Sequence, residues 1–412
     1  MTDKKVLVIG AGPAGMMAAI IASKNGAKVT VIEKNKRVGR KIMITGKGRC
    51  NVTNNCDVKD FISNVPTNNR FLYSAINSFT PSDAIEFFED NGLKLKTERG
   101  NRVFPVSDKA VDVVDTFKRL LEENKCKVIY KSVKSFKSED NKIISVKTID
   151  NMEYFADSFI LATGGMSYPI TGSSGDGYKF AKSLGHTIIK PKASLVPIEC
   201  KENFCKQLQG LSLRNVKIRV LDENKNKQIF TDFGEMMFTH FGVTGPLILS
   251  ASAHLKDIET TNYSIYIDLK PALDIAQLEK RIQRDFDKNL NKDFSNSLGE
   301  LFPKSLIPVI IKLCNIAENT KCNQITKEQR FEFATLIKNL KISATKFRPI
   351  EEAIITCGGV NVLEINPKTM CSKIIDNLFF AGEIIDVDAY TGGFNLQIAY
   401  STGYVAGEYS SY

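Results

Sequence analysis

Three glycines near the start of the chain have the spacing of a turn that binds the phosphates of a dinucleotide. Gly10, Gly12 and Gly15 follow an apolar run at residues 6–9 and open a segment, about residues 14–25, with helical character. The first glycine permits a tight turn, the second lets the backbone approach a pyrophosphate, and the third lets the helix pack on a sheet. The start of the helix also offers unpaired amides and a positive dipole end to the phosphates. The spacing therefore predicts a nucleotide-binding strand, turn and helix.

Glu33 is the acidic residue that such a unit requires. It follows an apolar run at residues 28–32, which predicts a second strand. At the end of that strand a carboxylate accepts hydrogen bonds from ribose hydroxyls and repels a 2′-phosphate. Glu33 therefore favours FAD or NAD over NADP. The alternative is a glycine-rich turn that binds no ligand, and the carboxylate at this position argues against it.

Two further runs share the design of an apolar strand that ends in small residues. They are Ile-Leu-Ala-Thr-Gly-Gly at 160–165 and Leu-Phe-Phe-Ala-Gly-Glu at 378–383, the latter followed by Gly392, Gly393, Phe394 and Asn395. Small residues leave room for a cofactor beside the backbone. A helix that starts near Leu396 would direct its positive end at a flavin and stabilise the negative charge of the reduced ring. The three signatures in this order predict bound FAD, held by both ends of the chain.

Composition and cysteine usage restrict the class of protein. The chain has 412 residues, of which 43% are hydrophobic and 25% charged, which predicts a globular protein of two or three domains. It contains no apolar run long enough to span a bilayer, and no secretory signal precedes the first strand. The nine cysteines lack the spacing of zinc ligands or of a redox disulfide. We therefore predict reduced thiols, no metal, no membrane contact and a cytoplasmic location.

The net charge of +10 raises the question of a nucleic-acid partner. The basic residues are spread over many segments with acidic residues between them, and the chain has no tryptophan. This pattern favours a solvated surface over a nucleic-acid interface. We therefore predict a small-molecule substrate and disfavour a nucleic-acid partner.

The order of the motifs predicts an α/β fold in which one domain is interrupted by another. Residues 1–190 form the first segment of a Rossmann-type FAD-binding domain, and residues 341–412 return to it. Residues 191–340 contain short alternating strands and amphipathic helices without a phosphate-binding turn. We predict that they form an inserted β-plus-helical domain that carries substrate contacts. Within the first segment, apolar residues at helical spacing predict one helix over residues 71–91.

Longer motifs resemble those of a known family. They are Gly-Arg-Lys-Ile-Met-Ile-Thr-Gly-Lys-Gly-Arg-Cys-Asn-Val-Thr-Asn at 39–54, Gly-Glu-Met-Met-Phe-Thr-His-Phe-Gly-Val-Thr-Gly-Pro at 234–246, Thr-Cys-Gly-Gly-Val at 356–360, Glu-Ile-Asn-Pro-Lys-Thr-Met at 364–370 and Ala-Gly-Glu-Ile-Ile-Asp-Val-Asp at 381–388. The chain resembles the BaiN-like and aminoacetone-oxidase-like flavoproteins over nearly its whole length. The resemblance implies bound FAD, a two-dinucleotide-type flavoprotein fold, and an insert made of a small β-barrel with a helical subdomain. Members are associated with reduction of steroid-like C=C bonds and with amine oxidation.

The motifs and the resemblance together give a set of residues predicted to bind FAD. The resemblance implies that the loop 48–51 contacts the cofactor, and by analogy with related flavoproteins the strand near Val133 meets the adenine. Asp386 and Asp388 are candidates to bind ribityl hydroxyls. For Cys50 we weigh a reactive thiol against a small residue packed beside the cofactor, and we favour the latter. The complete set is Gly10, Gly12, Ala14, Gly15, Glu33, Lys34, Arg40, Lys41, Gly48, Arg49, Cys50, Asn51, Val133, Ala162, Thr163, Gly164, Gly382, Glu383, Asp386, Gly393, Phe394, Asn395 and Leu396.

His240, Arg49 and Tyr390 are the candidates for catalysis. His240 stands between aromatic residues in Phe-Thr-His-Phe-Gly at 238–242. A histidine can supply, near neutral pH, the proton that accompanies hydride transfer. The alternative is a buried, hydrogen-bonded histidine with a structural role. Arg49 or Tyr390 would act instead by orienting the substrate or donating the proton.

These predictions describe an FAD-dependent oxidoreductase that moves a hydride through flavin N5. The leading hypothesis is NAD(P)H-linked reduction of a C=C bond in a small organic substrate, for instance a steroid-like one. Because the chain has a single Gly-x-Gly-x-x-Gly motif, NADH or NADPH would bind only transiently at the flavin. An amine oxidase of the aminoacetone type, which uses O₂, is the first alternative. A tRNA-modifying flavoprotein and an FAD-bound protein without catalysis are the others.

Overall fold

The computed structural model describes residues 4–412 and contains both strands and helices in each of two units. The strands are β1 (Lys5–Ile9), β2 (Lys28–Glu33), β3 (Thr53–Asn54), β4 (Leu95–Glu98), β5 (Arg102–Pro105), β6 (Lys127–Tyr130), β7 (Val133–Glu139), β8 (Lys142–Thr148), β9 (Glu153–Phe155), β10 (Ser158–Leu161), β11 (Ile188–Ser194), β12 (Ile198–Cys200), β13 (Ser212–Asp222), β14 (Lys227–Phe238), β15 (Gly242–Thr244), β16 (Tyr263–Asp268), β17 (Leu340–Phe347), β18 (Ile355–Val360) and β19 (Leu378–Phe380).

The α-helices are α1 (Pro13–Lys24), α2 (Val58–Ser63), α3 (Asn69–Ser78), α4 (Pro81–Asp90), α5 (Ala110–Glu123), α6 (Asp176–Ser183), α7 (Phe204–Gln207), α8 (Pro246–Ser252), α9 (Ile275–Asp287), α10 (Phe294–Ser297), α11 (Ile307–Leu313), α12 (Lys327–Lys338) and α13 (Phe394–Ser410). Short 3₁₀ turns occupy Ile42–Gly48, Pro169–Thr171, Leu298–Glu300, Cys322–Gln324, Ile350–Glu352, Val362–Glu364 and Gly382–Ile384. Among the described residues, no helix has both the length and the apolar character needed to cross a membrane.

One unit, which we call the sheet unit, comprises the described part of Met1–Ser194 together with Pro349–Tyr412. Its centre is a five-stranded parallel sheet with the strand order β19-β10-β1-β2-β6. These strands are short apolar runs because helices and loops cover both faces of a parallel sheet. Their carboxyl ends meet along one edge, where the turns after β1, β2, β10 and β19 come together. Ligands of open α/β sheets bind at that edge.

Helix α13 packs against α1 through two glycines. A Cβ atom added to Gly403 would lie 2.4 Å from the carbonyl oxygen of Ala14, and one added to Gly407 would lie 2.4 Å from that of Ala18. The two backbones therefore touch, and any larger residue would push the helices apart. This contact ties the C-terminal segment to the helix that follows the phosphate turn.

The second unit, Leu195–Arg348, is built on a closed barrel with the strand order β12-β15-β14-β13-β16-β17. We call it the barrel unit. Alternate residues of its strands, such as Ile218, Ile265 and Ile342, point inward and are fully buried. Its helices α9 and α12 add Phe286 and Phe333 to the same core. The predicted fold class, a Rossmann-type domain with a β-barrel and helical subdomain, is thereby confirmed.

The units divide at slightly different positions from the predicted 190/191 and 340/341. Strand β11 belongs to the sheet unit because it pairs with β18, and β17 belongs to the barrel because it pairs with β12 and β16. The border therefore falls after Ser194 and after Arg348.

The single helix predicted over residues 71–91 is wrong. The structure has two helices there, α3 and α4, which are separated at Phe79 and Thr80. Thr80 and Asp83 form a reciprocal capping box, and Pro81 occupies the first turn of α4. A proline favours the start of a helix and forces the residue before it into an extended conformation, so the chain must break here.

Candidate cofactor site

A cavity of about 530 Å³ opens at the carboxyl edge of the parallel sheet. It is lined by the turns after β1, β10 and β19, by the loop after β2, by the start of β7, and by the first residues of α13. The structure brings together there a large part of the predicted cofactor residues. These are Gly10, Gly12, Ala14, Glu33, Lys34, Arg40, Lys41, Val133, Ala162, Thr163, Gly164, Gly382, Glu383, Asn395 and Leu396.

The phosphate turn has the geometry that its glycine spacing predicts. Gly10 has φ +102°, and an added Cβ would lie 2.5 Å from the carbonyl oxygen of Ala162. An added Cβ on Gly15 would lie 1.9 Å from the carbonyl oxygen of Gly10, so this glycine packs against the turn and does not line the cavity. Gly12 caps α1 and has open space beside it. A phosphate can therefore approach the amides at the start of α1.

Glu33 is held in one orientation at the end of β2. The carboxylate is 7% exposed and accepts hydrogen bonds from the Ala11 amide at 2.8 Å and from the Asn35 amide at 2.8 Å. The Asn35 side-chain amide donates a further hydrogen bond at 2.6 Å. A carboxylate has about four acceptor positions, so Glu33 can accept about one further hydrogen bond, for instance from a ribose hydroxyl.

Two loops meet around the cavity, one after β2 and the other between β10 and α6. Lys34 Nζ lies 2.7 Å from Asp176 Oδ2, and the Asn35 side-chain amide donates to the Thr171 carbonyl at 3.2 Å. Arg40 in turn donates to Asn35 Oδ1 at 2.7 Å. The Gly, Ser and Thr residues at 168–177 indicate a loop whose backbone amides can line a ligand, and Thr171 and Asp176 belong to this loop. Asn35 carried no such signal, because its local sequence does not show which loop faces it.

The lining also contains residues that are not in the predicted cofactor set. They are Arg37, Gly39, Thr45, Lys131, Ser132, Lys134, Gly172, Ser173, Lys179, Phe180, Ile354, Ile355, Val387, Ile398 and Ala399. Gly39, Thr45 and Val387 belong to the longer motifs, whereas most of the others lie outside any motif.

The chemistry of the lining fits FAD. Basic side chains outnumber acidic ones in the lining, which suits a pyrophosphate with two negative charges. Thr163 Oγ1 is buried and, within residues 4–412, has no hydrogen-bond partner. A buried polar atom of this kind is normally satisfied by a ligand or water. FAD would therefore be held by the amides of the α1 start, by Glu33 and by the start of α13.

Arg49 does not line the cavity, although the sequence predicts it as a cofactor and catalytic residue. Its guanidinium lies 2.6 Å from Asp108, bonds Glu98 as well, and stacks 4.1 Å above the Phe104 ring. The hydrogen bond from Arg49 lowers the pKa of the Glu98 carboxyl. Its donors are thus committed to two carboxylates, which removes it from the lining.

Other predicted cofactor residues also lie outside the cavity lining. They are Gly48, Cys50, Asn51, Asp386, Gly393 and Phe394. Burial raises the pKa of the Cys50 thiol to about 12, which favours a packed residue over a reactive thiolate. Asp386 is buried and accepts a hydrogen bond from the Asn68 side chain at 3.0 Å, and burial raises its pKa. Phe394 packs edge-on against Phe61 with ring centroids 5.3 Å apart.

The two remaining catalytic candidates have different settings. Tyr390 is half-buried in the sheet unit, and its amide donates to the Asn64 carbonyl at 3.0 Å. It does not line the cavity. His240 belongs to the barrel unit, in the loop between β14 and β15, and is exposed. The alternative of a buried structural histidine is therefore wrong.

Comparisons with known proteins identify the family of this chain. The family model described as "HI0933-like protein Rossmann domain" matches residues 4–409. The 3-dehydro-bile acid delta(4,6)-reductase of Clostridium scindens is 30% identical over 409 residues, which is 98% of each chain. The ribosomal RNA dihydrouridine synthase of Haemophilus influenzae is 30% identical over 404 residues, or 97% of this chain and 96% of the relative.

Solved structures share the fold. The open form of a flavocytochrome c3 fumarate reductase has a TM-score of 0.55 and 18% identity, and covers 99% of this chain and 78% of its own. The 3-ketosteroid-delta4-(5alpha)-dehydrogenase of Rhodococcus jostii RHA1 has a TM-score of 0.54 and 12% identity. The match covers 100% of this chain and 97% of the dehydrogenase chain. At these identities the similarity concerns the fold alone. The full-length family match confirms the resemblance to BaiN-like flavoproteins, and the chain belongs to the HI0933-like family of FAD-dependent oxidoreductases.

Proposed function

We propose that this chain reduces a C=C bond conjugated to a carbonyl, with NADH or NADPH as a transient electron donor. One observation carries the proposal: two full-length relatives are named for different substrates but for related chemistry. A dehydro bile acid reductase and a dihydrouridine synthase both saturate a C=C bond of a carbonyl compound. Such a bond is electrophilic at its β-carbon, which accepts a hydride, while the α-carbon accepts a proton.

The residues of the cavity provide binding and orientation in this scheme. Bound FAD supplies the hydride carrier. The amides at the start of α1 would hold the pyrophosphate, Glu33 would bind the ribose, and the start of α13 would offer its positive end to the ring. The chain has a single phosphate-binding turn of this type, which is consistent with a nicotinamide that visits and leaves. The free cysteines fit the proposed cytoplasmic location.

Anaerobic mixing tests this proposal against the amine-oxidase alternative. We expect NADH or NADPH to bleach the flavin absorbance and a 3-oxo-4-ene steroid or another conjugated enone to restore it. Bleaching by aminoacetone and recovery with O₂ would favour the amine oxidase. A flavin that neither nicotinamide reduces would contradict the proposal.

His240 is our proposed proton donor to the α-carbon. Its ring lies edge-on to Phe241 with centroids 5.0 Å apart, and Arg348 lies 4.8 Å above the Phe241 ring while bonding Glu199 at 2.9 Å. The imidazole therefore packs against Phe241 and remains exposed.

We expect His240→Gln to lower turnover by more than about tenfold with normal FAD content, because a positioned acid contributes at least that factor. Steady-state rates with an enone measure it, after the flavin content has been checked. His254→Gln is the matched control, since His254 lies just after α8 and packs against Phe230 at 5.0 Å. Unchanged turnover and pH profile in His240→Gln would remove the assignment.

A second candidate substrate is a uridine within RNA. The sequence pattern disfavours a nucleic-acid partner, but a relative of equal identity is named for ribosomal RNA. The barrel unit also carries a face, which we call the basic face, formed by Lys217, Arg219, Phe233, Tyr266 and Lys341. Its cations are exposed, and Arg219 and Lys341 flank the Tyr266 ring at 5.0 and 5.6 Å. Two acids accompany it: Glu223 pairs with Lys341 at 3.1 Å, and Asp268, which lies opposite Lys217 in the strand register, pairs with Lys338 at 2.6 Å.

Replacing Lys217 and Arg219 by Met tests this candidate. If the basic face binds RNA, each lost phosphate contact should reduce the slope of log K against log salt by about 0.7. Filter binding of a single-stranded RNA over a range of salt concentrations gives that slope. Lys280→Met on α9 removes an equally exposed charge and should leave the slope unchanged. Absence of RNA binding by the unaltered protein at low salt would exclude the candidate.

A further inference from the structure

Lys41 and Glu383 form an ion pair in the cavity lining. Lys41 Nζ lies 2.6 Å from Glu383 Oε2, and the two side chains are 20% and 12% exposed. Lys41 comes from the loop after β2, and Glu383 from the turn after β19. The pair therefore joins distant segments of the chain in the lining of the candidate cofactor cavity.

Two further residues fix the orientation of this pair. Ser167 Oγ accepts a hydrogen bond from Lys41 Nζ at 2.6 Å and donates one to Glu383 Oε1 at 2.9 Å. The Thr356 amide donates to the same oxygen at 2.9 Å, while Thr356 Oγ1 accepts from the Ser167 amide at 3.1 Å. Both carboxylate oxygens are therefore engaged, so neither charge can turn away from the other.

Because the Lys41–Glu383 pair is largely shielded from solvent, its charges act more strongly on a bound ligand than those of a surface ion pair. Charges in a partly desolvated cavity interact with one another more strongly than in water. When one member of a buried pair is removed, its partner is left as an uncompensated charge. In this cavity the uncompensated charge would act on whatever charge the bound cofactor gains or loses.

We propose that the Lys41–Glu383 pair keeps its part of the cavity neutral and so sets the relative affinity of the site for oxidised and reduced FAD. Reduction of the flavin takes up two electrons and one proton and adds one negative charge to the ring. A lone Glu383 carboxylate would disfavour that charge, and a lone Lys41 ammonium would favour it. Ser167 and Thr356 act as positioning residues for the pair. The inference requires bound FAD and holds for any substrate.

The test is the midpoint potential of the bound flavin, measured by dye-coupled spectrophotometric titration. We expect Lys41→Met to lower the potential and Glu383→Gln to raise it, with the double variant close to the unaltered protein. Each tenfold change in the ratio of the two affinities corresponds to about 30 mV for a two-electron couple. Lys321→Met and Asp293→Asn are the controls, because these two residues form an ion pair at 2.8 Å and neither lines the cavity. We expect both controls to leave the potential unchanged.

Opposite shifts in the two single variants distinguish an electrostatic role from a structural one. Shifts of the same sign, or no shift in either variant, would overturn the inference. A variant that loses FAD on purification is titrated with oxidised and with reduced FAD, and the ratio of the two Kd values gives the same quantity. Because no substrate enters the measurement, the result is separate from the outcome of the enone experiments.

Discussion

Gly15→Ala should yield a protein that purifies without FAD and unfolds at a lower temperature. The new methyl group would lie 1.9 Å from the carbonyl oxygen of Gly10, and a backbone atom cannot move aside as a flexible side chain can. Gly10 cannot move away from this methyl group, because its backbone already packs closely against the Ala162 carbonyl. Helix α1 must therefore shift away from the turn. Overpacking of this kind costs about 1–3 kcal/mol or more, and it also displaces the phosphate-binding amides.

Gly12→Ala separates loss of the fold from loss of the ligand. An added methyl at Gly12 has open space around it in the absence of a cofactor, so the apoprotein should keep its stability. The same methyl would occupy the space through which a phosphate approaches the start of α1. We expect thermal unfolding of the apoprotein to fall only for Gly15→Ala, and FAD content to fall for both. If Gly15→Ala keeps the FAD content and stability of the unaltered protein, the Gly10 carbonyl does not exclude a side chain at position 15.

The parts of the site that the sequence predicted are those defined within a short stretch of chain. The strand, the three glycines and the helix start lie within about ten residues, and each has a local steric reason. The same is true of the small residues after β10 and β19. Such features are visible without knowing what lies opposite them.

The parts that the sequence could not predict depend on which distant residues meet. Nothing in the local pattern around Lys41 indicates a carboxylate from the turn after β19 as its partner. Arg49 stands in a motif that indicates cofactor contact, yet Glu98 and Asp108 bind its guanidinium. The choice between phosphate and carboxylate partners is made by tertiary packing, which motif spacing does not encode.

In two places a local signal was present but was not used. Thr80, Pro81 and Asp83 have the spacing of a capping box with proline in the first turn, which is sufficient to divide residues 71–91 into two helices. Gly403 and Gly407 are four residues apart within a helix, where each glycine costs about 1 kcal/mol relative to alanine. Such a cost implies a packing reason, which the contact with Ala14 and Ala18 supplies.

Glu33→Ala should weaken FAD binding by about 1–3 kcal/mol, the range for loss of hydrogen bonds to a charged group. That range corresponds to roughly 5- to 150-fold in Kd. The carboxylate has two tasks: it is placed to bind the ribose, and it accepts from the amides of Ala11 and Asn35. Ala11 lies inside the phosphate turn, so removing its acceptor also loosens the turn.

Glu33→Gln distinguishes these two tasks. The amide keeps the shape and one oxygen acceptor, which can retain the hydrogen bond from Ala11, but it loses the charge and the second acceptor. We expect its Kd for FAD, from fluorescence titration of the apoprotein, to lie between those of the unaltered protein and Glu33→Ala. Equal losses in both variants would show that the ribose contact dominates, whereas an unchanged Kd in Glu33→Ala would mean that this cavity does not bind the ribose of FAD. The carboxylate is buried at the end of β2 and already accepts three hydrogen bonds, so about one acceptor position remains, which a ribose hydroxyl fits.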